Sequence, residues 1–299
     1  MFLEILKDPT QPTVLRAMVS GMMNYEKDSE AIAGIEEMAR RCRAEILKMT
    51  HRASAGHPGG SLSEIDLLCA LYKSRMNINP DEPKWPDRDR FILSKGHASP
   101  GMYAVLSEMG FFPNEELASY RVKGGICQGH VDMKWTPGVD FSAGSLGMGL
   151  SFGIGCSIAA KLESSSRTTF VMLGDGELQE GAIWEAAMAA KHHELSNLKV
   201  IVDLNNIQND DFVEKQMRMF SVADKWRSFG WNVLEIDGHN VEQILDGLSW
   251  FDSIEDGPAV IIASTVKGKG ISYMENNPSF HGAAPNDEQL AIGMEELGF

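Results

Sequence analysis

The chain has 299 residues, of which 43% are hydrophobic, and this is enough for one large or two ordinary domains with a substantial core. Its formal net charge of −15 argues against nucleic acid or an anionic membrane surface as a partner. No segment approaches the run of about 18 apolar residues that a membrane span needs, and the N-terminus lacks the pattern of a signal peptide. We therefore expect a soluble, cytoplasmic protein.

The cysteines are scattered along the chain, at Cys42, Cys69, Cys127 and Cys156. They form no CxxC pair and have no accompanying pair of closely spaced histidines. This spacing argues against a structural zinc site and against a disulfide framework, so reduced thiols are expected.

Residues 1–28 combine a short apolar segment, two prolines and a methionine-rich patch. We interpret them as an N-terminal arm of unknown role, distinct from a domain over residues 29–299. From Ser29, a candidate N-cap, apolar residues recur at helical spacing, and they are Ile32, Ile35, Ala39, Cys42 and Ile46. This pattern predicts an amphipathic helix that leads the chain to His57.

Three histidines then occur in loop-like sequence. His57 lies in Gly-His-Pro-Gly-Gly, before a predicted helix at Ser63–Tyr72, and His97 follows a candidate strand at Arg90–Ser94. His130 is assigned to a third loop of this strand-to-helix kind. Such loops form the edge at which α/β sheets bind ligands, but a histidine in a loop is more often structural or exposed than catalytic.

The glycine-rich segment from Gly144 to Gly155 superficially has the look of a dinucleotide-binding fingerprint. Its glycine spacing does not fit that fingerprint, and no clean apolar strand precedes it, which argues against NAD binding. A tightly packed helix of small residues is the plain alternative.

Two acidic or amide side chains follow neighbouring candidate strands. Asp175 comes after the apolar run Thr169–Leu173, and Asn205 comes after Lys199–Leu204, with a predicted helix over Glu177–Leu195 between them. In a right-handed strand–helix–strand unit both strands end at the same sheet edge. Oxygen ligands at one crevice suit Mg²⁺, and the glycines around Asp175 would let a diphosphate approach the backbone.

The remainder of the chain continues the alternation of strands and helices. Further parallel strands are predicted at Trp231–Ile236 and Pro258–Thr265, and further helices at Val222–Phe229 and Val241–Leu248. The fold class is therefore α/β, with a parallel sheet flanked by helices. Three further histidines, His192, His193 and His239, are assigned to ordinary surface or turn positions.

A Gly-Asp-Gly, then Glu-Gly, then an Asn about thirty residues later resembles the signature of thiamine-diphosphate enzymes. Four further segments resemble the transketolase family in the same order: Ser54–Gly60, Leu93–Ala98, Gly129-His130 and Gly144–Gly147. The resemblance runs from about Ala44 to the C-terminus. It implies the thiamine-diphosphate-binding domain of the diphosphate-binding (PP) type.

The resemblance also implies roles for single residues. Asp175, Asn205 and the backbone carbonyl of Ile207 would hold Mg²⁺, for which Ca²⁺ or Mn²⁺ could substitute, and Gly176, His97 and His281 would lie against the diphosphate. His57, His130 and His281 would face the sugar and act in catalysis. Gly144 and Leu146 would meet the aminopyrimidine, and Glu180 and Glu185 would lie beside the cofactor toward a subunit interface.

A full transketolase carries a second α/β domain, which activates the aminopyrimidine, and then a third domain, whereas this chain ends at Phe299. The resemblance therefore implies the N-terminal subunit of a split transketolase. A C-terminal partner subunit would complete the site in an α₂β₂ heterotetramer, with sugars or sugar phosphates as substrates. Two alternatives are half of another thiamine-diphosphate enzyme, such as the α chain of a 2-oxoacid dehydrogenase, and a non-catalytic module that binds cofactor and partner.

Overall fold

The computed structural model describes residues 29–299, so the arm assigned to residues 1–28 lies outside the described part of the chain. Five strands form one sheet in the order β1-β2-β3-β5-β4, and every pairing is parallel. The strands are β1 (Arg90–Leu93), β2 (Thr169–Gly174), β3 (Leu198–Leu204), β4 (Asn232–Asp237) and β5 (Ala259–Ser264). This confirms the predicted parallel sheet.

Helices precede, connect and follow these strands. They are α1 (Ser29–Ala53), α2 (Pro58–Ser74), α3 (Ser99–Glu108), α4 (Met148–Leu162), α5 (Gly181–His192), α6 (Val213–Gln216), α7 (Val222–Ser228), α8 (Val241–Asp252) and α9 (Asp287–Glu296). Within residues 29–299, no helix combines the length and apolar character needed to cross a membrane.

Alternate residues of each strand point to opposite faces of the sheet, so the core has two halves. On β2, Phe170 and Met172 pack with α1, α2, α3 and α8, whereas Val171 and Leu173 pack with α4, α5 and α7. The central strands β2 and β3 are buried almost throughout, because helices cover both faces. β4 lies at the edge and is only partly buried.

The structure confirms the helix predicted at Ser63–Tyr72 but places its start earlier, and it corrects two other predictions of local structure. The helix expected at Ser63–Tyr72 begins at Pro58, directly after His57, because proline is well suited to the first helical position. The helix expected over Glu177–Leu195 is divided into a 3-10 turn at Gly176–Gln179 and α5. His130 follows no strand, since the connection between α3 and α4 contains none in the described chain.

Candidate active site

Asp175 and Asn205 follow adjacent strands, as the strand order required. β2 and β3 pair in parallel with Gly174 opposite Asp203, so both chain segments leave the sheet side by side. The Asp175 carboxylate accepts hydrogen bonds from the backbone N–H groups of Gly176, at 2.7 Å, and of Asn206. The side-chain oxygen of Asn205 accepts from the Ile207 N–H at 3.1 Å. One carboxylate and one amide oxygen therefore lie at the same edge, beside the turn that carries Ile207.

Lys267 is a buried cation at this edge that the sequence did not indicate. Its ammonium donates to the Ile207 carbonyl oxygen at 2.8 Å and lies 2.9 Å from Nδ1 of His281. The backbone carbonyl assigned to the metal thus already attracts a positive charge. Lys267 follows β5 in Val-Lys-Gly-Lys-Gly, a sequence that is typical of an exposed loop.

Asp175 and Lys267 influence each other's protonation. Burial, together with the nearby Asp203, raises the pKa of Asp175 to about 6. Burial lowers the pKa of Lys267 to about 8, against the attraction of Asp175. A carboxylate that is costly to ionise and an amine that is costly to protonate are both typical of a site that binds a charged ligand.

A buried ionic network lies behind Asn205. Asp203 accepts from Lys95 and, at 2.6 Å, from Ser63, and it also accepts from the Asn205 side-chain N–H at 3.1 Å. Burial would raise the pKa of Asp203, but Lys95 outweighs it and holds that pKa below the usual value. Glu64, 2.9 Å from the Lys95 ammonium, has a pKa raised to about 8 by burial. The carboxylate of Asp203 fixes the Asn205 amide so that its oxygen remains available at the sheet edge.

Four histidines from distant parts of the chain gather beside this edge. The ring centroid of His57 lies 5.1 Å from that of His97, 6.4 Å from that of His130 and 5.4 Å from that of His281. The rings of His97 and His281 are stacked at 5.3 Å. The structure therefore brings together the histidines at 57, 97, 130 and 281, and we call them the histidine cluster.

Each member of the histidine cluster is positioned by a different element. His57 immediately precedes α2, and His97 lies in a short 3-10 turn after β1. The backbone carbonyl of His130 accepts from the Tyr103 hydroxyl at 3.0 Å, which holds the long α3–α4 connection near the sheet edge. His281 ends a 3-10 turn and meets Lys267 through Nδ1.

Burial keeps these imidazoles neutral. It lowers the pKa of His57 to about 4 and that of His281 to about 3, with neighbouring cations adding to the effect. Burial also lowers the pKa of His97, well below its usual value, and that of His130, where Arg121 adds to the effect. Neutral imidazoles can both donate and accept hydrogen bonds, as a ligand rich in hydroxyl groups requires.

One ring nitrogen in the histidine cluster lacks a hydrogen-bond partner in the part of the chain that the structure describes. Nδ1 of His57 is buried and makes no hydrogen bond within the described chain. Because buried polar atoms are nearly always satisfied, an orphan in a cluster of histidines indicates a position for a ligand.

The predicted aminopyrimidine and interface residues lie in two segments, one before α4 and one at α5. Gly144 is exposed and Leu146 is partly buried, while Glu180, directly before α5, and Glu185, within α5, are exposed. A Cβ placed on Gly147 would lie 2.8 Å from Cβ of Glu180, so glycine permits this close approach. The site predictions at these four residues stay predictions.

His239 does not fit its assignment to an ordinary surface or turn position. Its Nδ1 lies 2.8 Å from the Asp66 carboxylate, and its Nε2 accepts from the Val266 N–H at 2.8 Å. Asp66 also accepts from Arg43 at 2.6 Å. His239 is therefore part of a largely buried polar network, whereas His192 and His193 are exposed as predicted.

The sequence also missed two buried residues near the Asp175 turn. Glu177 was assigned only to the start of a helix, and Lys95 only to the Lys-Gly-His segment, yet both side chains are almost fully buried. A local sequence pattern contains no signal for either, because burial comes from segments that are distant in the chain. No group of three or more histidine, cysteine or acidic side chains in residues 29–299 is arranged to hold a metal.

Comparisons with known proteins all identify the same family. Residues 35–299 match the family model described as transketolase, thiamine diphosphate binding domain. The chain is 38% identical over 269 residues to the 6-deoxy-6-sulfo-D-fructose transketolase subunit SqwG of Clostridium sp. (strain MSTE9), covering 90% of this chain and 98% of that protein. It is also 38% identical over 263 residues to one subunit of the apulose-4-phosphate transketolase of Phocaeicola vulgatus, covering 88% and 93%.

Longer transketolases match over less than half of their own length. Human transketolase is 35% identical over 263 residues, which are 87% of this chain and 42% of that protein. The solved structure of the Campylobacter jejuni transketolase superimposes with a TM-score of 0.84 at 32% identity, covering 89% of this chain and 43% of that one.

Proposed function

The chain belongs to the transketolase family, and from this premise we propose that it is the thiamine-diphosphate-binding subunit of a two-chain transketolase. Such an enzyme transfers a two-carbon ketol unit from a ketose donor to an aldose acceptor. The observation that carries the proposal is the histidine cluster, which lies beside Asp175 and Asn205 at the sheet edge.

The two-chain arrangement is supported by the lengths of the relatives. The relatives that this chain covers almost completely are named as subunits, whereas human transketolase extends far beyond the matched region. A separate chain of the C-terminal type would therefore supply the second wall of the active site. Burying the reactive part of a cofactor between two walls excludes water from the reaction.

The residues present fit Mg²⁺ and a diphosphate. The donors are the Asp175 carboxylate, the Asn205 side-chain oxygen and the Ile207 carbonyl, an all-oxygen set that a hard cation prefers and completes with phosphate oxygens. Ca²⁺ or Mn²⁺ could substitute. Lys267, which now donates to Ile207, would turn its charge toward the diphosphate, where Gly176, His97 and His281 add uncharged donors.

Thiamine diphosphate, when bound, supplies the thiazolium that acts as the electron sink for cleavage next to the ketose carbonyl. The protein binds and orients the sugar and moves its protons. His57, His130 and His281 would donate to the sugar hydroxyls and exchange protons with them, which for a positioned imidazole contributes about 100-fold or more in rate.

We propose that the substrates are sugars that carry an anionic group at one end. The two relatives of nearly equal length are named for a sulfonated sugar and for a sugar phosphate. In this chain the exposed Arg121 is close enough to act electrostatically on both His57 and His130. Its guanidinium would attract either tail to the histidine cluster, although the net charge of the chain is strongly negative.

Self-association would use the outer face of α4 and α5. Large apolar side chains are exposed there, at Met148, Phe152, Leu162 and Met188. Glu180, which directly precedes α5, and Glu185 within α5 would lie along the same interface, beside the cofactor. An α₂ core with a partner subunit on each side gives an α₂β₂ heterotetramer, consistent with the twofold symmetry of most oligomers.

The test is reconstitution with a C-terminal transketolase subunit. The purified chain alone should be inactive, and mixing it with that subunit, thiamine diphosphate and Mg²⁺ should restore ketol transfer and give a heterotetramer by mass measurement. Robust transketolase activity from this chain alone would overturn the two-chain proposal. A complex that binds cofactor but converts no ketose, phosphorylated or sulfonated, would favour a non-catalytic module.

A further inference from the structure

The start of α4 lacks a cap of its own. The residue before the helix is Gly147, which has no side chain and a φ of +84°, and the helix carries no acidic residue in its first turn. The first backbone N–H groups of a helix have no partner within the helix and carry partial positive charge. Partners must therefore come from elsewhere in the fold.

Glu177 and Ser94 supply these partners. The Glu177 Oε1 accepts from the Gly147 N–H at 2.8 Å and from the Ser94 hydroxyl, and the Ser94 oxygen accepts from the Gly149 N–H at 3.2 Å. Glu177 Oε2 accepts from the Gly174 N–H at 3.1 Å. One buried carboxylate thus joins the ends of β1 and β2 to the start of α4.

The packing around this carboxylate leaves little freedom. A Cβ on Gly149 would lie 2.4 Å from the Ser94 hydroxyl oxygen, so the segment fits against Ser94 only with glycine at this position. The carboxylate of Glu177 accepts three hydrogen bonds and donates none. An amide of the same shape would direct an N–H toward at least one of them.

The segments that Glu177 joins belong to different parts of the proposed cofactor site. Gly174 immediately precedes Asp175 on the metal and diphosphate side, and Ser94 precedes the segment that carries His97. Gly144 to Gly147 is the segment assigned to the aminopyrimidine. We propose that Glu177 is a positioning residue, which sets the distance between the diphosphate edge and the aminopyrimidine-facing segment by capping α4 from the end of β2.

The proposal rests on the proposed function, because that function supplies the thiamine diphosphate. The first measurement, however, is made without this cofactor. Hydrogen–deuterium exchange of the full-length chain should show protected amides at Gly147 and Gly149. In Glu177→Gln these amides should exchange faster, while those of β3 and of the β2 residues before Gly174, whose own N–H donates to Glu177, stay unchanged. Unchanged exchange at the start of α4 in a folded variant would overturn the proposal.

The second measurement compares two ligands of the enzyme assembled with its partner subunit. Magnesium pyrophosphate probes the diphosphate edge alone, whereas thiamine diphosphate must reach both segments. In Glu177→Gln we expect thiamine diphosphate to bind about 10–100-fold more weakly, the usual cost of losing a supporting contact, with pyrophosphate affinity unchanged. Equal weakening of both ligands, or of neither, would contradict a positioning role.

Two further variants complete the design. Ser94→Ala removes one donor to Glu177 and the acceptor of Gly149, so it should produce a smaller change in the same direction even if Glu177→Gln fails to fold. Glu163→Gln removes an exposed carboxylate just beyond the other end of α4 and should change neither measurement. If the wild-type complex binds no thiamine diphosphate, the proposed function fails, and the exchange experiment still decides whether Glu177 holds the segment.

Discussion

Two polar clusters lie on either side of the segment that follows β5. On one side, the Val266 N–H donates to His239, whose other ring nitrogen meets Asp66, which in turn pairs with Arg43. On the other side, Lys267 contacts His281 in the histidine cluster, where Nδ1 of His57 has no hydrogen-bond partner among residues 29–299. The first cluster is satisfied by the protein itself, and the second is not. The difference indicates that the first contributes to stability and the second awaits a ligand.

The largest expected effect is on cofactor affinity, and it distinguishes Asp175 in the candidate site from Asp66 in the other cluster. Asp175→Ala should weaken Mg²⁺-dependent binding of thiamine diphosphate by more than about 100-fold, since it removes a ligand and not merely a supporting contact. The free energy of unfolding of the cofactor-free chain should change little, because the cost of ionising the buried Asp175 offsets its attraction for Lys267 and the hydrogen bonds that it accepts. Calorimetry of the assembled complex and chemical denaturation of the chain measure the two quantities. Unchanged cofactor affinity would refute the metal assignment.

Asp66→Ala should give the opposite result. It leaves the buried Arg43 guanidinium without its carboxylate, which typically costs about 3–5 kcal/mol of stability. Asp66→Asn keeps an acceptor for Arg43 and should cost less. Cofactor affinity of the folded fraction should remain that of the wild type, and a large loss would mean that the clusters are coupled through residues 265–267.

The histidines provide the second comparison. His57→Ala and His130→Ala should each lower turnover by about 100-fold with cofactor affinity nearly intact, because their rings are assigned to the sugar. His239→Ala should instead lower stability, since it leaves the Asp66 carboxylate and the Val266 N–H with one partner fewer. Steady-state kinetics with saturating cofactor test the first two variants. A defect of His57→Ala or His130→Ala that extra cofactor rescues would place those rings at the diphosphate.

The smallest expected effect is that His57 and Asp66 make stability depend on pH over different ranges. The pKa of His57 is about 4 in the folded chain and 6.5 for an unperturbed histidine, so the unfolded chain binds more protons between these values. With respect to His57, the free energy of unfolding is therefore highest above pH 6.5 and decreases as the pH falls toward 4. Asp66 has a lowered pKa, so its contribution is lost only below its usual value of 3.8.

Chemical denaturation between pH 7 and pH 4.5 provides the measurement for that difference. The wild type should lose stability more steeply than His57→Asn as the pH falls. Asp175 and Glu64, whose pKa values are raised by burial, act in the opposite direction but are present in both proteins. Parallel curves would show that His57 is not kept neutral by its surroundings.

Much of the architecture was predictable from local patterns. Apolar β-branched runs separated by helical segments predicted the parallel strands, and the handedness of strand–helix–strand units placed Asp175 beside Asn205. Local patterns alone did not distinguish His57 from an ordinary loop histidine. The resemblance to transketolases supplied that choice, and the structure places His57, His97, His130 and His281 together.

The sequence by itself determined the fold class and the sheet edge at which polar residues meet, because strand periodicity and crossover handedness are local properties of the chain. Only the tertiary structure decided which charged side chains are buried. Lys267, Glu177 and His239 lie in segments that resemble surface turns or helix ends, yet each is largely enclosed by elements that are distant in sequence. Burial and hydrogen bonding depend on those distant contacts. The same contacts leave a buried nitrogen of the histidine cluster without a partner in the described chain, whereas the network around Asp66 is hydrogen-bonded within the protein.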